Sequence, residues 1–402
     1  MKNVYGSVKA GGVDVHYKFS TVTMRDAGGK VVRRERLDHW DREALRRKLS
    51  RWPAEARLVM EASFGWGWLA DLMVEVGLKP ELSNCYKLEQ MRKARGLAKT
   101  NKKDADLLSL LPYETDNWWK VWMAPPEVRN RREWMRYRTS LVKVQTQTKN
   151  RISAVLHRHG IVHGFSDLFG GSGRRFLGEV CVQGGTQDVR LPDGALTALR
   201  GLLGLLGHVR GQLAGISGEL RRQLERNPLA RRLDGIPGIG LILAHTLMAE
   251  IGLIERFRHH RALARYSLLA PMAKDSGEEP KRTPGGRRLG RRGNRMLKWA
   301  FIEAAHGAVK RGGKWRRLFD LATEGGTKNL NRGYIKVARE LVKVVYVVWK
   351  REVEYTDSPP PRPGRAGPPR RRRRSAGERM KEFLGDTRSG TGQSCHAMAV
   401  VR

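Results

Sequence analysis

The sequence predicts an α/β domain followed by a mainly α-helical remainder. Three observations carry this. β-rich segments with tight glycine turns open the chain. A heptad of apolar residues then runs over three repeats near the middle. Two apolar helical stretches around a Pro-Gly turn follow.

The first unit, 1–122, begins with "NVYGSVKAGGVDVHYKFSTVTMRDAGGKVV", which reads as strands around a hairpin turn at Ala27 to Gly29. "WDREALRRKLSRW" is helical, "ARLVMEAS" is a short apolar strand, and "WGWLADLMVEVG" is a helix. Strands first, then strand–helix alternation, predict a mixed sheet with helices packed on it.

Residues 123–229 read as long helices. Trp134, Leu141, Thr148 and Val155 are spaced by sevens. Leu199, Leu202, Leu206, Val209, Leu213, Ile216 and Leu220 alternate steps of three and four. The seam predicts either a dimerising coiled coil or an internal helical hairpin. Six glycines from Gly201 to Gly218 interrupt it, each costing about 1 kcal/mol against Ala, so the helix needs a packing partner.

Residues 230–356 read as a second, mostly helical unit. Pro237-Gly238-Ile239-Gly240 makes a tight turn between apolar segments, which resembles a helix-hairpin-helix. Gly238 and Gly240 would bring backbone N–H groups close to phosphates; the bland alternative is a plain helix–helix turn. Residues 357–402 are rich in Pro, Gly and Arg and read as a disordered basic tail.

Composition bounds the function. The 402 residues hold 78 Lys+Arg against 40 Asp+Glu, a formal charge of +38, while 40% hydrophobic residues support real cores. Such an excess implies a polyanionic partner, nucleic acid first. No run of 18 apolar residues reads as a membrane span, and the N-terminus lacks an apolar signal core. Cys85, Cys181 and Cys395 form neither a disulfide framework nor a zinc pattern, which fits a cytoplasmic protein.

Against this charge, certain acids stand out. Asp14 lies between Val13 and Val15 in a strand and points to the face opposite both. Glu61 ends an apolar strand, and Asp104 lies near a helix start. Meeting at one end of a sheet, the three would bind divalent metal, and two Mg²⁺ ions can hold a phosphodiester between them. Alternatively Asp14 is an edge residue and Asp104 a helix cap. Ser276, on a Gly-containing turn, precedes a run of cations that includes Arg287, Arg288, Arg291, Arg292 and Arg295. With Asn294 these would track a nucleic-acid backbone. Ser276 itself is a nucleophile or an ordinary turn residue.

Taken in order, "GVDVHYK", "VMEASFGWGWLADLM", "KTNKKDADLL", "IPGIGLILAHTLMAEIG", "LARYSLLAPMAKDSG" and "RRGNRMLKWAFIEAA" resemble bridge-RNA-guided insertion-sequence transposases. These join a RuvC-like (RNase H fold) DEDD domain to a serine-bearing transposase domain. The resemblance implies that Asp14, Glu61 and Asp104 are the first, second and last acids of the set, with Mg²⁺ as cofactor. The third position falls on Asn101, a departure for which the nearby Asp106 would compensate. It also implies Ser276 as nucleophile, a structured guide RNA, target and donor DNA, and a homo-oligomer joined by coiled-coil helices. Two other readings remain open: a hydrolytic junction-resolving nuclease, and an inactive nucleic-acid-binding scaffold.

Overall fold

The computed structural model describes residues 5–98, 100–114, 119–271, 289–290, 292–327 and 329–357. Strands β1 (Ala10–Val15), β2 (Phe19–Arg25) and β3 (Val31–Asp38) form an antiparallel meander. The β2–β3 turn forms because Asp26 Oδ1 accepts the Gly28 and Lys30 N–H groups, both at 3.0 Å, and Gly29 takes φ of 79°. Helix α1 (Arg42–Leu49) is capped by Asp41. Strand β4 (Arg57–Glu61), helix α2 (Trp66–Glu75) and strand β5 (Pro80–Ser83) follow. Helices α3 (Cys85–Ala94) and α4 (Asn101–Glu114) then precede the short β6 (Lys120–Val121).

The sheet order is β3-β2-β1-β4-β5-β6. β4 runs parallel to both β1 and β5, and β6 is antiparallel to β5. This is the expected mixed sheet with helices, and it is consistent with a RuvC-like fold. Its two faces are covered differently. Val13, Val15, Leu58 and Met60 pack with Leu45, Leu49, Leu69 and Met73 of α1 and α2. Val59 packs on the opposite face with residues of α3 and α4.

Helix α5 (Pro126–Arg158) runs 33 residues. Helix α6 (Gly171–Gln183) comes next, and then α7 (Asp193–Arg226), 34 residues long. α5 and α7 pack together within the chain. Leu199 and Leu206 of the heptad seam are buried with Ile152, Val155 and Leu156 of α5 and with Leu177 and Val180 of α6. Ile216 and Leu220 are buried with Met135. The described seam therefore has an intramolecular partner, the helical-hairpin alternative. The glycines need no close approach here, because a Cβ at Gly201, Gly204, Gly207, Gly211 or Gly215 would meet nothing within 4 Å.

The remaining helices are α8 (Pro228–Asp234), α9 (Leu241–Ile251), α10 (His260–Tyr266), α11 (Arg295–Arg311), α12 (Gly313–Thr323) and α13 (Leu330–Arg351). Their core centres on α11. Ala300, Phe301, Ala304 and Ala308 pack between Leu247 and Met248 of α9 and Val337, Leu341 and Val345 of α13. The described residues up to Tyr355 form one compact unit. The basic tail expected from residue 357 onward lies, beyond Asp357, outside the described residues.

Candidate active site

A glycine sets the geometry of the acid edge. A Cβ on Gly12 would come within 2.1 Å of Ala105 O and 2.3 Å of Ser109 N, so only glycine lets α4 cross β1 this closely. Arg25, paired with Ala10 across the β1–β2 ladder, donates from Nε to Ser109 Oγ at 2.8 Å. Thr23, paired with Gly12, donates to Asp106 Oδ1 at 2.7 Å. Higher numbers on α4 thus lie toward the start of β1. The helix runs antiparallel to the strand, with its first turn over the strand's C-terminal end. Gly12 and Asp14 share this face by the period of two. Asn101 and Asp104 therefore sit in the turn at the Asp14 end of β1.

Glu61 joins the same edge. β4 pairs parallel with β1, Met60 opposite Val13, and Glu61 shares a face with Val59 toward α3 and α4. Asp14 is buried, 6% exposed, and its Oδ2 lies 3.0 Å from His16 Nε2. Burial, with the Glu61 charge and a hydrogen bond to that carboxylate, pushes the Cys85 thiol up to about 11.

Two sequence expectations need correction. Thr100, not Asp104, caps α4: its Oγ1 accepts the Lys103 N–H at 3.3 Å, and its carbonyl accepts the Asp104 N–H at 2.9 Å. Asp106 is not placed to replace the acid missing at Asn101, because Thr23 and both forks of Arg34, at 3.1 Å, hold its carboxylate over β2 and β3. Burial would raise its pKa, but the hydrogen bonds from Arg34 and Thr23 and the Arg34 charge outweigh that and lower it.

The carboxylates at this edge are the hard oxygen donors that a divalent cation takes. Among the described residues, however, no three His, Cys, Asp or Glu side chains stand close enough together to hold a metal. The set fits in donor type and position, not in spacing.

On the C-terminal side, Ser276, Arg287, Arg288 and Arg291 lie outside the described residues. Pro271 and Leu289, on either side of residues 272–288, bridge each other antiparallel. Arg292 stacks over the Tyr86 ring at 3.6 Å and donates to its hydroxyl. Tyr86 neighbours Cys85, so Arg292 touches the turn of α3 that faces Glu61. Arg295 is exposed on the first turn of α11. Asn294 is committed internally rather than free for phosphate. Its Oδ1 caps Leu297 N–H at 3.0 Å, and its Nδ2 donates to Glu250 Oε2 at 2.7 Å.

The expected phosphate turn divides. Gly238 has φ of 84°, and its missing Cβ makes room for Ala304 O and Ala308 N of α11, so helix packing explains that glycine. Gly240 is exposed at the N-cap of α9 with nothing near its Cβ position.

The sequence reading missed Glu250, Arg136 and Lys143. Glu250 is completely buried, accepts from Arg136 and lies 3.7 Å from Arg132 Nε. A signal for it was present: one acid ending the apolar run "LILAHTLMAEIG", and Arg129, Arg132, Arg136 and Lys143 on one stripe of "PEVRNRREWMRYRTSLVKVQ".

Two known transposase families match this chain. Residues 11–161 match a DEDD family typified by IS110 and described as "Transposase". Residues 230–320 match the family described as "Transposase IS116/IS110/IS902 family". The chain is similar to an uncharacterized 44.8 kDa protein of insertion element IS116 from Streptomyces clavuligerus, 28% identical over 35% of this chain and 34% of that one. It is similar to an uncharacterized 43.6 kDa protein of insertion element IS110 from Streptomyces coelicolor, 27% identical over 44% and 40%. The transposase for insertion sequence element IS1111A of Coxiella burnetii is 23% identical over 55% and 58%. The chain thus aligns with about a third to three-fifths of these relatives' lengths. Both matches are to transposase domains of the IS110/IS116 kind, the DEDD match first. No helix among the described residues is long and apolar enough to cross a membrane.

Proposed function

We propose that this chain, with its two IS110/IS116-type transposase domains, is the DNA recombinase of an insertion sequence. The observation that supports the reading is the close seat of α4 on Gly12, which sets the α4 turn bearing Asn101 and Asp104 at the Asp14 end of β1, next to β4 and its Glu61. In this reading residues 1–122 form the acid-bearing domain, 123–229 a helical assembly region, 230–356 the serine-bearing domain and 357–402 a basic tether. The partners are target and donor DNA, a structured guide RNA that chooses them by base pairing, and further copies of the chain.

Ser276 Oγ attacks a backbone phosphorus. One deoxyribose oxygen leaves as a hydroxyl and takes up the serine proton. The resulting phosphoserine ester conserves the phosphodiester bond energy, so strands rejoin without ATP. The +38 charge supplies sequence-independent attraction, and cations near the loop offset charge on the phosphate in the transition state. Once Asp14, Glu61 and Asp104 close to ligand spacing, with Asn101 as a neutral oxygen donor, they would hold Mg²⁺, which would supply positive charge for the scissile phosphate.

The test is a denaturation-resistant adduct. Wild-type chain incubated with its DNA should leave a covalent protein–DNA species, and Ser276→Ala should bind DNA yet leave none. Free DNA ends, no adduct and cleavage retained in the alanine variant would instead establish the hydrolytic reading. The guide is tested separately: RNA that copurifies under stringent washing should be one discrete species, and heterogeneous RNA would count against it.

A further inference from the structure

We propose that a pocket between α5 and the start of α11 binds a phosphodiester of the DNA backbone, and that buried Glu250 aims Arg136 into it. The inference rests on the reading of the chain as a DNA-processing enzyme and adds a binding site to it.

The pocket holds about 600 Å³. Arg136, Lys143 and Arg295 line it, with Thr139, Ser140 and Tyr266, and among the described residues no carboxylate lines it. A second cavity, of about 830 Å³ between α5 and α7, makes the contrast. Glu133 and Glu219 line that one beside Arg222, and the two acids would repel a phosphate.

Glu250 explains how the pocket is built. It is the one carboxylate on a mostly apolar helix and is completely buried. A buried carboxylate persists only where cations and donors surround it. Arg136 supplies Nε at 3.2 Å and Nη2 at 3.4 Å. Asn294 supplies Nδ2 at 2.7 Å. The guanidinium is a rigid planar fork, so gripping one edge fixes the other. The Arg136 side chain is still 58% exposed, and it lines the pocket. Glu250 therefore spends one edge of Arg136 and presents the other. It is a positioning residue: it touches no ligand.

The same carboxylate anchors the facing wall. Asn294, held by Glu250, caps α11 at Leu297 N–H. The N–H groups of Arg295 and Met296 come before the first intrahelical bond, in a 17-residue helix whose first turn lines the pocket. Arg295 and Lys143 add mobile charges. A planar donor edge, a helix start and two flexible cations suit a phosphodiester oxygen pair.

The experiment measures equilibrium binding of the full chain to a fluorescent DNA duplex in chelator across a salt series, so no chemistry intervenes. Arg136→Ala, Lys143→Ala and Arg295→Ala should each flatten the log–log salt slope by about 0.9, one phosphate contact apiece. Arg221→Ala, at an exposed arginine of α7 away from the pocket, is the charge-matched control. Pocket variants no different from this control would overturn the site. Arg136→Lys keeps the charge but loses the two-point grip, so the slope should hold while affinity falls roughly tenfold. Unchanged affinity would remove the aiming role. Glu250→Gln makes the chain more positive, so bulk electrostatics predicts tighter binding and misaimed Arg136 predicts weaker; tighter binding overturns the proposal. Should that variant fail to unfold cooperatively, Arg136→Lys decides. An RNA duplex run in parallel separates the sources. Slopes that flatten with RNA alone would overturn the assignment to DNA. A missing Ser276 adduct with these slopes intact would fail the recombinase chemistry and leave the pocket standing.

Discussion

The acid edge and the arginine pocket carry opposite charge and are assembled in opposite ways. The edge gathers carboxylates on adjacent strand ends through backbone geometry: Gly12 seats α4, and the parallel ladder sets Glu61 beside Asp14. The pocket gathers cations from two distant segments, α5 and α11, through one side chain of a third, Glu250 of α9. Loss of any one carboxylate should therefore leave the edge's scaffold intact, whereas loss of Glu250 should remove the element that joins α5, α9 and α11.

The largest expected effect breaks that contrast or upholds it. Glu250→Ala leaves Arg132, whose side chain is 17% exposed, beside a vacated carboxylate and should cost about 3–5 kcal/mol. Asp14→Ala should cost less, because its partner His16 is 30% exposed and can turn to water. Denaturant midpoints at constant m-value give the comparison. Equal losses would mean that the edge also depends on a side-chain hub.

A second pair of substitutions sharpens the backbone half. Gly12→Ala drives a methyl into the α4 backbone and should destabilise by about 1–3 kcal/mol, with a lowered melting temperature. Gly201→Ala, in the open on α7, should instead stabilise by up to about 1 kcal/mol. Destabilisation by Gly201→Ala would reveal a close partner on that face, as a coiled coil between copies requires.

These two regions also mark how far the sequence was legible. Alternation around Asp14 showed its face, and the strand end showed Glu61, because period-two patterning survives in a single segment. The mixed sheet followed for the same reason. The heptad seam of α7 was equally visible, yet its partner was not: Leu199 and Leu206 look the same to α5 of this chain as to a second copy. Gly238 left two readings open because a phosphate and a neighbouring helix demand the same missing Cβ, and the neighbouring helix is the one seen. Asn294 misled because a polar residue among arginines looks free until its cap and its Glu250 bond are seen. Glu250 itself was read as part of a helix, since nothing local says which cations will reach it from residues 132 and 136.

The smallest effect tests whether Glu61 truly stands at the edge, and it needs no catalysis. Burial first, and the Glu61 carboxylate after it, hold the Cys85 thiol at about 11, so its reactive thiolate is scarce near pH 8. Alkylation by iodoacetamide at that pH should run on the order of tens-fold slower than for an unstructured cysteine, the higher basicity of the thiolate offsetting part of its scarcity. Because thiolate is the base form, the rate should keep climbing as pH rises from 8 toward 10. Glu61→Gln removes the carboxylate charge and leaves the burial, so the thiol should titrate lower and react faster at pH 8. Peptide mass spectrometry separates Cys85 from Cys181, which lies on α6 away from this edge and serves as the internal reference. A Cys85 rate unchanged by Glu61→Gln would mean that the two side chains are apart in solution. The edge would then keep Asp14 under α4 but lose the second carboxylate that the parallel ladder puts beside it.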